Sequence, residues 1–159
     1  MSALLEHLRR QRESSQRLLE IVMEQSAAIR DQDVTTVLGT LADLQAEMGY
    51  RDRLEREREQ ILTLAAVEVG AAPDTIDLEA ILVGRPADES RQARELSAEL
   101  RGLIGEVGRI HNENRILIRQ ELAFLDHLMR ALSGTPQTAY SPTGWDPAPK
   151  TVNLLDARA

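Results

Sequence analysis

One segment keeps a rhythm that only a long helix can gather onto a single face. Leu96, Leu100, Leu103, Val107, Ile110, Asn114, Leu117, Glu121, Phe124 and Leu128 recur at alternating steps of four and three, and no proline interrupts them. A strand would bring every second residue to one side; steps of three and four match the turn of an α-helix and the seam of a coiled coil. The pattern predicts a helix over residues 87–133, stopped by Gly134 with Pro136 just beyond. Such a helix is too narrow to bury its own stripe, so other helices have to cover it.

Two earlier segments supply them. Leu4, Leu5, Leu8, Leu18, Leu19, Val22, Met23 and Ile29 mark a first helix over 2–30, with Ser2 as a cap. Its centre, Gln11, Arg12 and Ser15, is polar even on the inward stripe, which predicts a weak stretch of core. Asp33 caps a second helix over 33–69, whose seam reads Val34, Val37, Leu41, Leu44 and Met48 and continues in step through Arg51, Glu55, Arg58, Leu62, Ala65 and Val69, while Leu54 and Ile61 shift the apolar stripe sideways. Aromatic residues make up only 3% of the chain. That suits the thin seam between helices better than a thick sheet–helix core.

The expected fold is therefore all-α: an elongated, antiparallel, three-helix coiled-coil-like bundle over 1–133. A short extra helix over 77–83 lies between Pro73 and Pro86 and plugs the bundle's end. Residues 134–159 hold four of the six prolines and form a flexible tail that also carries Trp145 and the pair Leu154–Leu155.

At ~1.5 Å per residue the three long helices span roughly 40, 55 and 70 Å, so the third outruns its companions at one end. That end is more apolar than a narrow seam requires. Leu117, Phe124 and Leu128 continue the seam, while Ile118, Leu122, Leu125, Met129 and Leu132 form an adjoining stripe. Either the first two helices or a second copy of the chain covers this surface, or it is a groove for a helix from another protein, with anchors at three- and four-residue spacing. Met129 suits a surface that accepts related ligands, because thioether side chains repack readily. Asn114 and Glu121 within the seam, with Arg51, Glu55 and Arg58, read as a register-setting polar layer or as solvated groups.

Composition narrows the function classes. The net charge is −7, which disfavours nucleic acid and anionic membrane surfaces as partners. There is no cysteine, so thiolate metal sites, disulfides and cysteine nucleophiles drop out. His7, His111 and His127 are never four residues apart, and neither a Glu-x-x-His pair nor a phosphate-binding loop occurs. We therefore expect no enzyme, no metal site and no cofactor. No apolar run approaches the ~20 residues of a membrane span, and charges stand where a signal peptide's apolar stretch would lie. The expected location is the bacterial cytoplasm.

Residues 112–125, NENRILIRQELAFL, stand near the end of the long helix; Tyr-Ser-Pro-Thr-Gly follows at 140–144 and Leu-Leu-Asp-Ala-Arg-Ala at 154–159. In these segments and in its long-helix layout the chain resembles the FlgN family of flagellar export chaperones. The resemblance implies binding of the C-terminal helical segment of hook-associated, hook–filament junction proteins. It also implies that the chaperone prevents their premature assembly and delivers them to the type III export apparatus. On that resemblance Leu117, Ile118, Leu122, Phe124, Leu125, Leu128, Met129 and Leu132 are the cargo-binding candidates, and Tyr140 is a candidate contact to the export gate. The competing expectation is a structural coiled-coil adaptor or stalk protein of a secretion apparatus, self-associating through the apolar end of the third helix.

Overall fold

The computed structural model describes residues 2–134, and the tail expectations, Tyr140 and Trp145 among them, lie outside the described residues. Four helices follow one another: α1 (Ala3–Arg30), α2 (Val34–Val69), α3 (Leu78–Leu82) and α4 (Ala87–Leu132), with a 3-10 turn at Pro73–Thr75 between α2 and α3. No strand occurs among the described residues; the fold is all-α, with the long helices packed on one another. Backbone contacts group the chain into a first unit that ends at Phe124 and a second that begins at Leu125, so the division falls within α4.

The helix ends follow from local chemistry. α1 closes with Gln32 in the left-handed region, φ 56, while the N–H of Asp33 donates to the Ala28 carbonyl at 2.9 Å and that of Gln32 to Ile29 at 3.2 Å. These two bonds satisfy carbonyls that the helix leaves open and reverse the chain within three residues. Asp33 then caps α2, its Oδ1 accepting from the Thr36 N–H at 3.1 Å. Gly70, with φ 72, ends α2 and donates to the Ala66 carbonyl. Only glycine takes that conformation without a Cβ penalty. Asp77 caps α3 through the Ala80 N–H at 2.8 Å. Ser2 occupies the cap position of α1 but makes no side-chain cap bond.

Cross-helix pairs fix the directions within the first unit. Arg10 meets Glu57, Ser15 meets Arg51, Arg17 meets Glu47 and Gln25 meets Thr40, so α1 and α2 run antiparallel. Arg9 meets Gln92, Arg12 meets Glu99, and Asn114 meets Val22 and Gln25, so α1 and α4 run parallel. α2 and α4 are thus antiparallel, the up-down-up order of a three-helix bundle. At one end Leu4, Leu5, Leu8, Leu82, Ala93 and Leu96 form a core cluster, with Ile61, Leu78 and Ile81 packed against it, so α3 seals that end.

The seam of α2 is displaced from its expected course. Val37, Leu44, Arg51 and Ala65 turn inward as expected, and Leu54 and Ile61 join them on the shifted stripe together with Thr40 and Glu47, whereas Val34, Leu41, Met48 and Val69 are exposed. The physical reason lies on α1, whose facing side offers Ser14, Ser15, Arg17 and Gln25 rather than apolar groups. Polar α2 residues that find partners there turn inward, and the apolar row beside them is left outside. At the centre of α1, expected to be weak core, Gln11 and Arg12 are only half-buried, whereas Ser14 and Ser15 are fully buried. Met23, assigned to the α1 stripe, is exposed.

Candidate functional site

A buried polar network lies inside the first unit. A donor chain crosses all three long helices: Asn114 Nδ2 donates to the Val22 carbonyl at 2.9 Å and to Gln25 Oε1 at 3.2 Å. Gln25 Nε2 donates to Thr40 Oγ1 at 3.4 Å, and that hydroxyl donates to the Val37 carbonyl at 2.8 Å. Asn114 and Thr40 are 1% and 2% exposed. A buried polar layer of this kind fixes the alignment of helices, because sliding one of them strands its partners in an apolar seam. Of the other interrupting residues, Glu121 is exposed, Arg51 donates to Ser15 Oγ at 2.9 Å, and Glu55 and Arg58 pair with each other on the surface.

Two carboxylates staple α2 to α1. Burial pushes Glu47 up, but hydrogen bonds from Arg17, at 2.9 Å, and from Ser14 outweigh it and hold the group below the ordinary glutamate value. Glu57 takes Arg10 at 3.1 Å and His7 Nδ1 at 3.4 Å. Burial lowers the His7 value more than Glu57 raises it. The neutral ring donates through Nδ1 to a carboxylate that can only accept, and the buried Nε2 has no partner. Among the described residues no group of three or more His, Asp and Glu is placed to hold a metal ion, and no helix is long and apolar enough to cross a membrane.

The candidate partner residues lie on the late part of α4. The face that buries Ile110 and Asn114 continues as Leu117, Phe124 and Leu128 at the same helical spacing. In the first unit Leu117 and Ile118 are half-buried, while Leu122 and Phe124 are each 60% exposed. In the second unit Leu125, Leu128, Met129 and Leu132 are all exposed, Leu132 by 75%. The pairing explains the onset of exposure. α1 ends at Arg30, five to eight residues past the Gln25 and Val22 that meet Asn114, so its cover along parallel α4 stops near about residue 120. Apolar residues recurring at helical spacing can bind another amphipathic helix or apolar segment.

Sequence reasoning missed a second exposed row. Val34, Leu38, Leu41 and Met48 of α2 are 44–67% exposed. The available signal was that α2 carries two adjoining apolar stripes where one suffices for a seam.

A family model described as FlgN protein matches residues 1–146. No curated protein and no solved structure matches the chain. With most of its length matched, and with the long-helix bundle that carries an open apolar face, the chain belongs to the FlgN family of flagellar export chaperones.

Proposed function

We propose that this chain is a cytoplasmic chaperone for hook–filament junction proteins. It holds their C-terminal helical segment on the late part of α4, prevents premature assembly and delivers them to the type III export apparatus. The reading rests on membership of the FlgN family together with one observation: Leu122, Phe124, Leu125, Leu128, Met129 and Leu132 are exposed on consecutive turns of one helix. Fully burying one such side chain gains about 1.5–3 kcal/mol, so a handful of anchors suffices for a stable complex. The role needs binding and release but no catalysis.

The test is a single charge in the run. Leu125→Asp should abolish binding of a purified junction-protein C-terminal fragment, measured by calorimetry, while the circular dichroism spectrum keeps its helical form. A variant that binds as tightly as the parent chain would overturn the assignment. Size-exclusion chromatography supplies the counter-reading: a stable homodimer indifferent to the fragment would make this a structural coiled-coil protein, whereas a 1:1 complex favours the chaperone.

A further inference from the structure

The three seams of the first unit are not closed in the same way. In a coiled-coil frame, core positions alternate along each helix and two flanking rows run beside them. Antiparallel neighbours set like rows against each other, and parallel neighbours set unlike rows together. On α2 one flanking row, which includes Glu57, serves α1; on α4 the row of Gln92 and Glu99 serves α1. The remaining row of α2 begins with Val34, Leu41 and Met48 before continuing through Glu55, Leu62 and Val69, and the remaining row of α4 includes Ile104, His111 and Ile118. Since α2 and α4 are antiparallel, these two rows face the same furrow.

That furrow is open. Among the described residues no hydrogen bond or ion pair joins α2 to α4, and Leu41, Met48 and Ile104 remain 44–49% exposed. Leu38 and Leu122 extend the apolar surface outward on its two sides. On the α4 side the outer rim carries Arg115 and Arg119, both exposed and neither meeting a carboxylate among the described residues. In a chain of net charge −7, most of whose other arginines are paired, a free basic rim beside an apolar furrow asks for an occupant with the opposite edge.

We propose that, within the first unit, the α2–α4 furrow is a second cargo-binding wall, beside Leu117, Ile118 and Leu122 of α4. It seats an amphipathic cargo helix as a fourth helix, with acidic residues along the edge of that helix nearest Arg115 and Arg119. The proposal rests on the chaperone reading above and adds α2, together with a charge rule, to it.

The absence of cysteine permits a single reporter. In the full chain, Leu38→Cys carries an environment-sensitive dye, and the purified C-terminal fragment of a junction protein is the probe; its binding is read independently by calorimetry. The dye should report a polar setting in the free chain and shift to an apolar one as the fragment binds. Leu41→Glu/Met48→Glu and Arg115→Glu/Arg119→Glu should each weaken binding by about tenfold or more, the second pair losing the salt dependence of the parent. Fragment that binds with the dye unchanged and with both double variants at parental affinity overturns the α2 wall and leaves the α4 site standing. Dye already in an apolar setting in the dilute free chain assigns the furrow to the chain's own residues, and a shift that follows chaperone concentration alone assigns it to a second copy; either overturns the proposal. Absence of any binding by the parent chain defeats the chaperone reading itself.

Discussion

Along the α1–α2 seam the flanking groups are polar and partnered: Glu57 holds Arg10 and His7, Glu47 holds Arg17 and Ser14, and Arg51 reaches Ser15. Along the α2–α4 seam the first half of the corresponding α2 row is Val34, Leu41 and Met48, with no polar bridge across among the described residues and with much of each side chain in water. The same helix therefore presents one side that is finished and one that is not. Small buried residues let α1 and α2 approach closely, and Ser14, Ser15 and Thr40 find polar partners across or within the pair. An apolar row with no such closure gains nothing until a further surface covers it.

The sharpest way to break this contrast is a matched pair of truncations on α2. Leu54, 2% exposed, belongs to the inward row, and Leu54→Ala should cost about 2–4 kcal/mol in denaturant unfolding. Leu41→Ala, one row outward, should stay within about 0.5 kcal/mol of the parent. Equal losses would mean that the outer row is already covered in the free protein. Next in size is the polar layer. Asn114→Ala leaves Gln25 Oε1 without its donor in a buried seam, and a loss of about 1–3 kcal/mol is expected by the same measurement.

The smallest effect concerns the closed seam and pH. The folded-state value of His7 lies below the ordinary 6.5, so the unfolded chain takes up the proton more readily. Its contribution is complete above the ordinary histidine value and is lost as the pH falls from there through the folded value. Protonation adds an N–H at a buried Nε2 that has no acceptor. Melting temperature should fall across that window, and His7→Gln should flatten the decline. An unchanged slope would place His7's protonation outside the stability of the seam.

Much of the architecture was legible because it is local. The four–three rhythm, Asp33 as a cap, and glycines 70 and 134 as stops act over a few residues, and they fix where helices begin and end. The apolar excess over residues 117–132 was legible too, since two adjoining stripes exceed what one seam requires. The rotation of α2 was legible only at Leu54 and Ile61, not in its first half. Hydrophobic periodicity ranks Leu41 and Met48 inward and Glu47 and Thr40 outward, and the structure reverses that order.

What the amino-acid sequence determined by itself was the helical class, the lengths and ends of the long helices, and the presence of more apolar surface than three helices need. What only the tertiary structure decided was which face of α2 turns inward and which apolar rows stay open. The reason is that a buried polar residue depends on a partner supplied by another helix, as Glu47 does on Ser14 and Arg17. Periodicity along one helix contains no term for that partner; only the packed arrangement brings the two together.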